Sequence, residues 1–133
     1  MTLEMTRAWI LLAAPRTPGE LSSIIAVANS LNKSIPTRSE LSDGLGWLRA
    51  AGLVDRNGSR FVRTAAGSQL VATCERGSKG ASEVWDKVAA SFGLRSIPHF
   101  RPEAIGDEEL AMAIKAHSRA NAATVRKLGD KDA

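Results

Sequence analysis

Residues 35–70 read IPTRSELSDGLGWLRAAGLVDRNGSRFVRTAAGSQL, and this stretch decides the fold. Thr37-Arg38-Ser39-Glu40 has the spacing of a capping box. The Thr37 hydroxyl can accept from the Glu40 N–H while the Glu40 carboxylate reaches back to the N–H of Thr37. Leu41, Leu45 and Leu48 follow at i, i+4 and i+7, one buried stripe on a helix over 37–51. Gly52 closes that helix as a left-handed cap, with Leu53 folded back on Leu48 in the apolar contact of a Schellman motif. Two β-type runs come next, 53–56 and 59–63, joined by Asn57-Gly58. That dipeptide favours a type I′ turn because both residues tolerate positive φ. The predicted register sets Val54 opposite Phe61 and Asp55 opposite Arg60. Thr64 then caps another helix.

Working outward, residues 3–14 read as a helix with Met5, Ala8, Trp9 and Leu12 on one face, closed by Pro15. Thr17-Pro18-Gly19-Glu20 repeats the capping-box spacing, with Pro at the first helical position where its missing N–H costs nothing. Leu21, Ile24, Ile25, Ala28 and Leu31 supply the buried face of the helix that follows. Downstream, a helix over 64–76 is expected to bury Ala66, Leu70 and Cys74, and Gly77-Ser78-Lys79-Gly80 breaks the chain. Trp85, Val88, Ala89 and Phe92 make an apolar stripe on a helix over 82–92. Residues 93–106, with Pro98 and Pro102, read as an irregular connection, and Asp107 as the cap of a last helix to residue 128.

The expected class is mainly α with a small β-hairpin. The order α-α-α-β-β-α makes a winged helix-turn-helix of residues 1–76, and residues 77–133 a C-terminal helical extension. Helix, "AAGLV", short basic hairpin and Thr-x-x-Gly together resemble the core of winged-helix transcriptional regulators of the MarR and PadR kind. Leu41, Leu45, Leu48, Gly52, Leu53, Val54, Thr64 and Gly67 carry the likeness, which covers roughly half of the chain, residues 3–75. One position departs from the pattern. The residue before the Thr-x-x-Gly threonine is commonly apolar in such proteins, and here it is Arg63.

At 133 residues the chain is long enough to bury one real core. Its 44% hydrophobic and 24% charged residues are ordinary for a soluble domain. It has no apolar run long enough for a membrane span, and the patch over 8–14, preceded by Glu4, fits a core helix better than a signal peptide. A single cysteine rules out an internal disulfide and points to a reducing compartment, so the cytoplasm is expected. A net charge of +4 leans towards an anionic partner. The useful asymmetry is local: Arg56, Arg60 and Arg63 share one hairpin, offset nearby by Asp55.

The winged-helix resemblance implies double-stranded DNA as partner, with helix 37–51 in the major groove and the 54–63 hairpin as a wing on phosphate. Recognition needs polar side chains near the helix N-terminus and flanking cations. Arg38, Ser39, Ser42 and Arg49 meet that need on the helix, and Arg56, Ser59, Arg60 and Arg63 on the hairpin. Asp43 opposes it, and Gly44 and Gly46 leave the face poorly filled. The alternative is a winged-helix protein-interaction module without DNA binding, its hairpin charges guarding a sheet edge and Arg60 paired to Asp55. The discriminator is electrostatic. A continuous positive face favours DNA, and interruption by Glu40, Asp43 and Asp55 favours the module.

In the last helix, Ala113, Ala116, Ala120 and Ala123 form a strip of small residues beside Leu110, Ile114, His117, Asn121, Val125 and Leu128. Such a helix needs a partner, and a homodimer through residues 107–128 would suit a palindromic operator. No phosphate loop, nucleophile–base pair or paired-carboxylate spacing stands out, although Glu108 and Glu109 are adjacent, so no enzyme activity and no cofactor are expected. His99 and His117 lack a second ligand at metal spacing, and Cys74 reads as a small core residue. Trp47 neighbours the leucine stripe without belonging to it, as a residue at a boundary or under the C-terminal segment would.

Overall fold

Thr2 accepts from the Met5 N–H at 3.1 Å and starts α1 (Leu3–Ala13), the helix at the centre of the core. A computed structural model describes residues 1–97 and 99–131, with side chains as far as 120. Among these the chain is mainly helical, with six helices and a small three-stranded antiparallel sheet of order β1-β3-β2. Trp9, 1% exposed, donates its indole N–H to the Ala28 carbonyl at 2.9 Å and ties α1 to α2 (Leu21–Asn32).

Residues 17–20 do not form the expected capping box. Gly19 and Glu20 are instead a short strand, β1 (Gly19–Glu20), paired with Phe61 and Arg60 of β3 (Arg60–Arg63). The N-cap of α2 is Glu20, which makes no side-chain cap bond. The edge of the hairpin supplies main-chain partners to these residues, so pairing holds them extended (Glu20 φ −73°, ψ 165°) and the helix starts after them.

The middle of the chain follows its local signals. Glu40 N–H donates to Thr37 Oγ1 at 3.1 Å and Thr37 N–H to Glu40 Oε1 at 2.9 Å, so the capping box opens α3 (Arg38–Ala50). At its end Leu53 N–H bonds to the Leu48 carbonyl and Gly52 N–H to the Arg49 carbonyl, the two bonds of a Schellman motif, with Gly52 at φ 76°.

The hairpin forms one register away from expectation. β2 (Val54–Asn57) pairs Arg56 with Phe61 and Asn57 with Arg60, so Gly58 and Ser59 make the turn. Gly58 has φ 63° and Ser59 does not have positive φ, the pattern of a type II′ turn, which places Gly first. The slip is by two residues, so no side chain changes face, and Val54 and Phe61 both stay buried.

Thr64 caps α4 (Ala65–Glu75) by accepting from the Gly67 N–H at 3.1 Å. The buried face is Gly67, Val71 and Cys74, with Ala66 exposed and Leu70 half-buried. Close approach to the hairpin sets this rotation: a Cβ on Gly67 would lie 2.1 Å from the Leu53 carbonyl oxygen.

α5 (Ala81–Gly93) packs on α1, burying Val84, Val88, Ala89 and Phe92. Trp85 stacks on Trp9 and donates to the Met5 carbonyl at 2.7 Å. Residues after 77 therefore contribute to the same core as the residues before them. α6 (Asp107–Lys131) lies against α2, with Ala113 and His117 buried and Leu110 and Ile114 half-buried. His117 Nε2 sits 3.2 Å from Asn29 Nδ2. The side chains of Asn121, Ala123, Val125 and Leu128 lie outside the described residues. No described helix is long and apolar enough to cross a membrane.

Candidate functional site: the α3–hairpin cleft and the strap across it

With Leu41, Leu45 and Leu48 turned to the core, α3 presents Arg38, Ser39, Ser42 and Arg49 on its other sides. Arg56 of β2 faces the same cleft. The chain between α5 and α6 crosses this cleft as an irregular strap, residues 101–106. Gly46 admits it: a Cβ there would stand 2.5 Å from the Arg101 carbonyl oxygen and 2.8 Å from Pro102 Cα. Ser42 grips its main chain twice. The Ser42 carbonyl accepts from the Glu103 N–H at 2.9 Å, and its hydroxyl donates to the Glu103 carbonyl at 2.6 Å.

Glu103, 8% exposed, is the hub of the site. Arg49 Nη1 donates to both carboxylate oxygens, at 3.0 and 2.8 Å, and Arg56 Nη1 donates to Oε1 at 2.9 Å. Arg56 also reaches the Ala104 carbonyl at 3.1 Å, Glu109 at 3.2 Å and, through Nε, the Gly58 carbonyl at 2.7 Å. Its guanidinium lies 4.8 Å from the Phe61 ring centroid. Burial alone would raise the pKa of Glu103, but hydrogen bonds from Arg49 and Arg56 and their charges outweigh it and hold the carboxyl below its ordinary range.

Carboxylates also meet the neighbouring cations. Arg38 Nη1 donates to Asp107 at 2.6 Å on an exposed edge. Asp43 accepts two bonds from Arg7, at 3.0 and 3.1 Å, and the Arg7 guanidinium lies 5.2 Å from the rings of Trp47 and Phe100. Trp47 is buried against Phe92 of α5. Asp55 turns back to its own hairpin and accepts from the Arg56 N–H.

Of the eight residues expected to touch nucleic acid, Arg38, Ser39, Ser42, Arg49 and Arg56 gather around the strap. Ser59 is exposed at the hairpin tip, and Arg60 is exposed with its Nε 3.6 Å from Glu20 rather than paired to Asp55. Arg63 turns inward, donating to the carbonyls of Leu11 and Leu12 at the end of α1. Burial, helped by the charge of Arg16 and opposed by Glu75, lowers its pKa. Glu103, Asp107 and Glu109 were not among the expected site residues. The sequence signal for them was Gly46, since glycine on an outer helix face marks a close approach by another backbone; Gly44 instead faces the Ile10 side chain of α1.

The strap does not fill the cleft. A cavity of about 460 Å³ opens on one side, lined by Arg49, Val54 and Asp55, and one of about 450 Å³ on the other, lined by Arg38, Ser39 and Asp43. Elsewhere, Cys74 is buried, and burial pushes its thiol pKa up against the opposing charge of Lys87. No group of three or more metal-ligating side chains converges among the described residues.

The fold and the site define a mainly helical protein with a small antiparallel sheet, bridged across its α3–hairpin face by its own chain. No family model matches this chain, and neither a curated protein nor a solved structure does.

Proposed function

We propose that this chain is a winged-helix protein-interaction module whose α3–hairpin cleft holds an acidic peptide segment in place of DNA. The winged-helix reading is supported by α3 followed by a short hairpin that packs back on the helices, with a third strand at its edge. The observation that carries the interaction reading is the seating of Glu103 between Arg49 and Arg56. A DNA reader needs its cations free for phosphate. Here Glu103, Asp107 and Glu109 meet the three arginines that face the cleft, and Asp43 and Asp55 interrupt the surface further. The reading is non-enzymatic, and a lone cysteine supports a reducing, cytoplasmic setting.

A second reading, a DNA-binding transcriptional regulator, is favoured by Arg38, Ser39 and Ser42 at the N-terminal turns of α3, where a recognition helix meets base edges. In that case the strap must leave before DNA enters. Fluorescence anisotropy with labelled duplex DNA at two salt concentrations separates the two. The interaction module gives no salt-dependent binding. Affinity that falls with salt at a slope of about −2 or steeper, as for two or more phosphate contacts, restores the regulator.

A further inference from the structure

The strap displays the chemistry of the partner that the cleft would take, an inference that rests on the interaction reading above. Three features of the cleft recognise a peptide. Ser42 takes both the N–H and the carbonyl of one residue, which reads an extended main chain whatever its side chain. Gly46 leaves room for that main chain against the helix. Arg49 and Arg56 converge on a single carboxylate, the strong charge-assisted form of hydrogen bond.

Two further features make the present occupant replaceable. Between α5 and α6 the strap has no regular structure, and of residues 101–106 only Glu103 and Ile105 are buried. Its hold is concentrated on Glu103 and its immediate neighbours, so a competitor that takes over those contacts releases the segment without opening the core. The cavities of about 460 and 450 Å³ on its two sides are room for contacts that the strap does not make. A longer segment gains there what it needs to compete with an occupant tethered at an effective concentration on the order of millimolar.

We propose that the α3–hairpin cleft is a docking site for an extended acidic segment of another protein, of the Pro-Glu-Ala kind, and that residues 101–106 fill it in cis until such a segment displaces them. The contacts favour peptide over nucleic acid on one chemical point. The Ser42 carbonyl accepts from a main-chain N–H, and a phosphodiester backbone has no donor to offer it.

The test uses the full chain and a fluorescein-labelled peptide of the sequence HFRPEAIGD, the same as residues 99–107. Glu103→Ala weakens the cis occupant and leaves the receiving residues intact. Circular dichroism confirms folding, and the isosteric Glu103→Gln stands in should the alanine variant fail to fold. The expected result is that the variant binds the probe at least about tenfold more tightly than the unmodified chain. Binding should disappear when Arg49→Ala is added, or when the glutamate of the probe is replaced by glutamine. A folded variant that ignores the probe, or equal binding by variant and unmodified chain, overturns the docking site. Duplex DNA measured in parallel keeps the two levels apart. Binding of neither ligand overturns the docking site alone, whereas salt-dependent binding of DNA without the peptide overturns the interaction reading as well.

Discussion

Gly67 shows how a single position can be set by what lies opposite it. Its Cβ would stand 2.1 Å from the Leu53 carbonyl oxygen, a main-chain atom that cannot swing away as a flexible side chain could. Gly67→Ala should therefore destabilise the chain by about 1–3 kcal/mol, seen as a lower urea midpoint at an unchanged m-value. An unchanged midpoint would mean that α4 is free to move off the hairpin. Glu103 makes a pH-dependent contribution, and its sign follows from the direction of the shift. The folded chain holds its pKa below the ordinary carboxylate value, so the stabilisation is present above the unfolded pKa and is lost as pH falls through the folded one. Glu103→Gln should be less stable by about 1–3 kcal/mol at neutral pH, as expected for hydrogen bonds to a charged group. The gap should narrow as the buffer is taken below about pH 4. Urea titrations at neutral and acid pH check this, and a gap that widened on acidification would remove the carboxylate as its cause.

At the scale of elements, α5 is joined to α1 by more than apolar contact. Trp85 both stacks on Trp9 and donates to the Met5 carbonyl at 2.7 Å. Trp85→Phe keeps an aromatic ring in place and removes the N–H, so it should cost about 1 kcal/mol, measured by denaturant unfolding. A variant as stable as the parent would show that water satisfies the Met5 carbonyl equally well. The hairpin illustrates which properties of an element are robust. Alternation placed Val54 and Phe61 on the buried face, and a two-residue slip preserves that. The turn was less determined, because Asn57-Gly58 and Gly58-Ser59 are both acceptable two-residue loops. In the observed frame Arg56 lies opposite Phe61 with its guanidinium 4.8 Å from the ring, and the ladder continues to a bond from the Thr64 N–H to the Leu53 carbonyl at 3.1 Å.

For the whole molecule the open matter is assembly. The sequence pattern of the last helix motivates a homodimer through residues 107–128, and it stands as a proposal. Among the described side chains, Leu110, Ala113, Ile114 and His117 already pack towards α2 and the core, while Met112 is 65% exposed. The described part of the helix leaves Met112 and Ala116 exposed for a second copy, and a homodimer through α6 should give, by light scattering at tens of micromolar, twice the monomer mass of 14.1 kDa. The monomer mass would remove α6 as an interface.

By itself the sequence determined what closes over a few residues. The capping box at Thr37 and Glu40, the Schellman turn at Gly52 and the Thr64 cap each join groups within five residues of one another, so the chain needs no distant partner to form them. Helix periodicity likewise placed Leu41, Leu45 and Leu48 inside. Tertiary structure alone decided β1, because Gly19 and Glu20 are extended only where β3 lies beside them. It also decided the site. Ser42 and Glu103 are 61 residues apart, Arg49 and Glu103 are 54 apart, and the strap has no periodicity from which a face could be read. An irregular segment takes the conformation of whatever can satisfy its main chain and its charge, and for residues 101–106 that is the outer face of α3.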